Sequence, residues 1–311
     1  MAKSIRKTLL LAKIQTAAGT DPVPTGAANA ILLRNVTATP LSAEFVERAL
    51  LRPYMGNSGQ IATTQYAQIE GEVELAGSGT AGTAPAWGPL LRACGFSETV
   101  TEGTDTRYLP VSDNFERLTL HYYLDGLFHK ILDARGTVSF DLTAKGIPFM
   151  RFRFMGAYQP ITDGANPSVV DYAAFQIPKG VNKQNTPTWS LGAYSGCLQS
   201  LNFDIANQLV WRSLIGCEGA EITDRQPTGK IALELPSIAQ LDWPTIVLDG
   251  AGKPVSITHG TVAGNIVEIK APSAQLTNPA YSEQDNVAML ELDMNVNPGV
   301  AGNDELEIIV R

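Results

Sequence analysis

The sequence is poor in charge, in cysteine, in clustered basic residues, in long apolar runs and in long helical periodicity. Charged residues make up 17% of the 311, below the ~25% usual in soluble chains, which points to a surface covered in an assembly. Lys and Arg number 23 against 31 Asp and Glu, a formal net charge of −8. That balance excludes a protein that grips nucleic acid through a basic footprint. The three cysteines, Cys94, Cys197 and Cys217, are an odd number without C-x-x-C spacing, so neither a disulfide framework nor a zinc site is expected. Free thiols in a reducing compartment are the reading. Lys13 ends the apolar run Leu9–Ala12 after four residues, too short for a secretory signal, and no stretch approaches the ~18 apolar residues of a membrane span. Synthesis in the cytosol and no membrane partner are expected.

What is present is period-two alternation. Leu118, Leu120, Tyr122 and Leu124 share one side of a strand, as do Val138, Phe140 and Leu142. Met150, Phe152 and Phe154 alternate with Arg151 and Arg153, and Ala288–Val296 alternates with Met289, Glu291, Asp293 and Asn295. These read as half-buried antiparallel strands. Asp125-Gly126 between two such runs is a hairpin signal. The clearest helix lies within 84–94, where Trp87, Leu90, Leu91 and Cys94 fall on one face. Pro85 and Pro89 are confined to its first turn and Gly95 stops it. The segments 14–30 and 156–189 are rich in turn-forming residues and read as extended arms or linkers.

The run Gly77-Ser-Gly79-Thr-Ala-Gly82 fits the G-x-G-x-x-G spacing of a dinucleotide loop. Its surroundings do not fit. The prolines push the helix past the third glycine, and the preceding strand alternates Glu70, Glu72 and Glu74 with Gly71, Val73 and Leu75 instead of running apolar. It reads as a flexible turn between strand and helix, with no cofactor. His121, His129 and His259 form no catalytic or metal-binding motif and read as strand-surface or edge residues. No catalytic residue is assigned.

Residues 56–75 and 216–235 repeat at an offset of 160. Gly56/Gly216, Gly59/Gly219, Thr63/Thr223, Glu74/Glu234 and Leu75/Leu235 coincide, and Trp87–Leu91 has an out-of-register counterpart in Trp243–Val247. Two copies of one β-rich unit are expected. The second copy lacks the glycine loop, and a degenerate helix or a loop is expected around Ile238–Val247.

The arm Gly19–Thr25, the segments Arg52–Gly59 and Glu72–Leu75, the Gly77-Ser-Gly79 turn and above all Ala84–Phe96 (APAWGPLLRACGF) follow one another in an order that resembles the major tail tube proteins of long-tailed, non-contractile bacteriophages. The resemblance is strongest over the first ~100 residues. It implies a mainly β chain of two tandem tail-tube-type β-sandwich or barrel units, each with a short flanking helix: residues 1–160 with an N-terminal arm, and 161–311 with a linker. It implies a structural virion protein, not an enzyme. Trimeric, pseudo-hexameric rings would stack into the conduit for DNA ejection, with arms reaching the next ring. Implied partners are further copies of the chain, the tape measure, tail terminator and tail-tip proteins, and passing DNA without specific binding. The implied location is the virion tail, assembled in the host bacterial cytoplasm. In such a pore Glu70, Glu72, Glu74 and Glu234 would line the lumen and repel phosphate; as residues of a half-exposed strand they equally suit a solvated outer face. The tube of a contractile injection or secretion machine is the alternative, followed by a soluble β-sandwich binding module.

Overall fold

The computed structural model describes residues 2–311. The chain opens with β1 (Thr8–Ile14), a single helical turn α1 (Gly26–Asn29), β2 (Ala30–Ile31) and the long hairpin β3 (Arg34–Glu47) and β4 (Gln60–Glu74). Helix α2 (Gly88–Ala93) leads to β5 (Phe96–Thr101), β6 (Asp105–Pro110), β7 (Leu118–Leu124), β8 (Leu127–Thr143) and β9 (Phe149–Tyr158). After β10 (Thr162–Asp163) and β11 (Thr188–Leu191) come β12 (Leu198–Asp204), β13 (Asn207–Leu214), β14 (Cys217–Arg225) and β15 (Thr228–Glu234). Helix α3 (Trp243–Asp249), β16 (Lys253–His259), β17 (Val267–Gln284), β18 (Val287–Val296) and β19 (Glu307–Val310) complete the order. The expected mainly β fold with few short helices is the one found.

Eight strands lie side by side in the order β3, β4, β9, β8, β12, β15, β18, β17, each antiparallel to the next. One face of this sheet is apolar: Ile69, Val73, Phe140, Phe152, Leu201, Ile231, Leu290 and Leu292 are all buried in one core cluster. Flanking strands cover it. β1 and β2 extend β7, which pairs with the first half of β8. β11 and β16 pair onto the first half of β17, and β19 bridges the opposite edge of β17 to β6 and β5. β8 and β17 therefore each run through both layers. The turn Asp125-Gly126 has positive φ at both residues (42° and 88°), the two-residue hairpin geometry that suits right-handed strand twist.

The two long hairpins share details. β3–β4 slips by one residue between Glu44 and Phe45, and the Thr63 hydroxyl donates to the Glu44 carbonyl at 3.1 Å. β13–β14 slips between Gln208 and Leu209, and the Thr223 hydroxyl donates to the Gln208 carbonyl at 3.3 Å. Helix α2 is buried through Leu90, Leu91 and Ala93. The Trp87 indole, 2% exposed, donates to the Ala76 carbonyl at 2.9 Å. Helix α3 is the helix sought near 238–247. It is a full seven residues, capped by Asp242 and closed by Gly250 at φ 62°.

Three expectations change. β7 is not half-buried: Thr119 and His121 on its second side are as enclosed as Leu118 and Leu120, and the segment that follows β1 reaches this side, with Asp21 against His121. His121, His129 and His259 are all buried. The two arms are docked on their own chain. Asp21 accepts from Lys130 at 2.7 Å and contacts the His121 ring nitrogen at 3.0 Å. β10 pairs with β8, Tyr172 packs on Leu9 and Leu11, and the Asp171 amide donates to the Gly26 carbonyl.

Candidate functional site

The glycine run makes a turn. Gly79 and Gly82 take positive φ, and α2 begins six residues beyond Gly82. The loop meets the segment around Gly264: the Gly79 amide donates to the Gly264 carbonyl at 2.8 Å, and the Gly77 amide to the Asn265 side chain at 2.7 Å. A Cβ on Gly77 would stand 2.1 Å from the Gly264 oxygen. The glycines serve backbone-to-backbone contact. Among the described residues no group of three His, Cys, Asp or Glu could hold a metal ion, and no helix is long and apolar enough to cross a membrane.

The surface with distinctive chemistry is the other face of the eight-stranded sheet. Alternation puts every second residue there. On the β3, β4, β9 and β8 side it carries Glu70, Glu72, Glu74 and Asp141 beside Arg34, Arg151 and Arg153. On the β12, β15, β18 and β17 side it carries Asp204, Glu234, Glu291 and Asp293 beside Lys230 alone. The second side is thus much the more acidic. Cross-strand pairs are inverted in sign between the two: Glu70 faces Arg153, whereas Lys230 faces Asp293.

The expected carboxylates share this face but not one environment. Glu72 is 5% exposed and accepts from Arg34 Nε at 2.9 Å, Asn35 Nδ2 at 2.8 Å and Arg151 Nη2 at 2.7 Å. Burial alone would raise its pKa, but these bonds outweigh it and hold the carboxyl below its ordinary value. Its charge is spent on two arginines that also flank the Phe149 ring, so Glu72 organises the face and presents no free charge. No cation lies within ion-pair distance of Glu70, Glu74 or Glu234 among the described residues. The carboxylate of Glu234 pushes the pKa of the exposed Cys197 thiol up. Lys230 pairs with Glu291 at 2.6 Å. Asp141, Asp204, Glu291, Asp293 and the two β9 arginines complete the face. The signal for Arg151, Arg153, Glu291 and Asp293 was the off-phase polar series within the alternating runs 150–154 and 288–296, and Asp141 is off-phase in the run 138–142.

A family model described as phage tail tube protein matches residues 5–296. The chain belongs to the phage tail tube protein family. No match was found among curated proteins. This is a family of structural proteins, not of enzymes, and membership makes the chain a component of the virion tail that self-assembles into the tail tube.

Proposed function

We propose that three copies of this tail tube protein close into a ring whose inner wall is the polar face of the eight-stranded sheet, and that stacked rings conduct DNA during ejection. The observation that carries the proposal is that face: continuous over eight strands, solvent-facing, acid-rich, and ended by β3 and the second half of β17, which have no outer neighbours.

Strand spacing supports the number three. At about 4.8 Å per strand, two, three and four copies give barrels of about 24, 37 and 49 Å between opposite backbones, more with strand tilt. Allowing roughly 6 Å of side chain on each wall, three is the smallest closed ring that passes a DNA duplex. A wall with excess carboxylate keeps phosphate from adhering, over a range of ~8–10 Å at physiological salt. The shared slip and threonine bond of the two hairpins, at an offset of 160 for Thr63 and Thr223, support a tandem duplication. The two units divide near residue 160, and each ring then holds six pseudo-equivalent positions.

Electron microscopy of assembled protein, with mass by light scattering, is expected to give rings with a central hole and three chains each. Rings of six chains would refute two ring positions per chain. In virions, replacing Glu70, Glu74 and Glu234 together by Lys is expected to leave rings intact and to slow ejection. Unchanged ejection would remove the lumen assignment.

A further inference from the structure

The chain contains a finished copy of one lateral junction. The second half of β8 pairs with β12: Ser139 faces Asp204, Phe140 faces Phe203 and Asp141 faces Asn202. Beyond it Ile205 donates its amide to the Val138 carbonyl. The core-facing residues are sealed, with Phe140, Phe203 and Ile205 at 1%, 2% and 0% exposure. β13–β14 then closes over β8, with Asn207 Nδ2 donating to the Gly136 carbonyl at 3.0 Å.

The same geometry is half-present at the two open edges. Taking Glu74 with Glu234 as the fixed point, β9 corresponds to β18 through Phe149 and Met289, their partners. β8 then corresponds to β17, so that Asp141 maps to Ser282 and Phe140 to Tyr281. Asn202, opposite Lys230, maps to Thr37, opposite Glu70. Phe203 maps to Ala38. At these edges the apolar groups lie open: Tyr281 is 67% exposed where Phe140 is buried, and Leu41, beside the irregular step between Thr39 and Ser42, is 47% exposed where Ile205 is buried. Phe45, in the place of Leu209 on the distal hairpin, is 58% exposed.

We propose that β3 of one copy adds antiparallel to the free edge of β17 in a second copy, with Thr37 opposite Ser282, Ala38 opposite Tyr281 and Thr39 opposite Ala280. The distal β3–β4 hairpin then folds over β17 and β18 of that copy, as β13–β14 folds over β8 within the chain. Leu41 and Tyr281 become the apolar seal, and backbone hydrogen bonds supply the rest. This inference rests on the ring reading above, because it names the surface by which the ring closes.

The test is disulfide trapping of the full chain, with the exposed Cys197 and Cys217 changed to Ser. Facing residues of an antiparallel pair have Cα atoms about 4.5–5.5 Å apart, within disulfide reach. Within one chain, positions 37 and 282 lie on the first and eighth strands, roughly 33 Å apart at seven spacings, so any bond is between chains. Thr37→Cys with Ser282→Cys is expected to give a non-reducing ladder that closes at three. Thr39→Cys with Gln284→Cys, four residues out of register, is expected to give none. Tyr281→Asp is expected to block assembly while circular dichroism of the single chain stays unchanged and its melting drops by only a few degrees, since the ring is 67% exposed and its aromatic contact within the chain is edge-on with Trp243.

Assembly of wild type with no bond at 37/282, or with the offset pair trapped instead, overturns the register and leaves the tube reading standing. A 37/282 ladder that closes at another number upholds the edge pairing and overturns the three-chain ring. Assembly by Tyr281→Asp, or a wild type that neither associates nor cross-links at any concentration, overturns the interface.

Discussion

Gly77→Ala tests the contact between the glycine turn and the second half of the chain. The added Cβ would sit 2.1 Å from the Gly264 carbonyl oxygen and 2.8 Å from Asn265 Cα. Both are backbone, so no side chain can swing aside. Restoring ordinary contact at about 3.4 Å separates the loops by more than 1 Å, which stretches the Gly79–Gly264 and Gly77–Asn265 hydrogen bonds beyond useful length. Two such bonds at about 1 kcal/mol each, with overpacking of about 1–3 kcal/mol partly relieved by the movement, give a loss of about 2–4 kcal/mol. For a chain of this size, with an unfolding entropy of about 650 cal/mol/K, that lowers Tm by about 3–6 °C. The assay is thermal unfolding of the purified variant beside Gly219→Ala, where an added Cβ meets nothing within 4 Å and φ is not positive. That control is expected within about 0.5 kcal/mol of wild type. If Gly77→Ala melted with the control, the two loops would not be in contact and the account of the glycine run would fail.

Trp87→Phe is expected to cost about 1.5–3 kcal/mol and Trp87→Ala about 3–5 kcal/mol by urea unfolding, because the first leaves the Ala76 carbonyl unpaired and the second adds a cavity beneath Tyr108. Acid is expected to destabilise the fold before any carboxylate titrates. Burial depresses the pKa values of His121, His129 and His259, with Asp21 only partly offsetting this at His121. Stability is therefore full above the ordinary histidine value of 6.5 and falls as the unfolded chain takes up protons that the fold refuses. Three such sites give a loss of up to about 3 kcal/mol between pH 6.5 and 5.5. Flat urea midpoints over that interval would refute it, and His129→Leu is expected to remove about a third of the slope.

Sequence alternation located β7, the second half of β8, β9 and β18, and in the last three it also separated the core side from the polar side, because each strand's own side chains declare which side meets the core. It could not show that Glu72 is neutralised. Arg34 and Arg151 lie 38 and 79 residues away, and only strand pairing brings them together. Nor could composition tell a docked arm from a free one. Residues 14–30 and 156–189 lack periodicity in either case, and their docking depends on single contacts such as Asp21 with Lys130. The burial of His121 was hidden for the same reason: the strand presents it outward, and a distant loop covers it. Helix α3 was legible as a weak echo of Trp87–Leu91, yet it is as long as α2 and differs in having no buried residue.

β8 and β17 pass from the flanking layer into the polar-faced sheet without a break. At 17 and 18 residues each is a rod of about 55–60 Å. A pull on the flanking layer is therefore carried into the eight-stranded sheet as tension along covalent backbone, and not as shear across a seam of hydrogen bonds. In the proposed ring, bending would fall on the contacts between copies, and each copy would behave as a stiff stave whose two layers cannot be peeled apart.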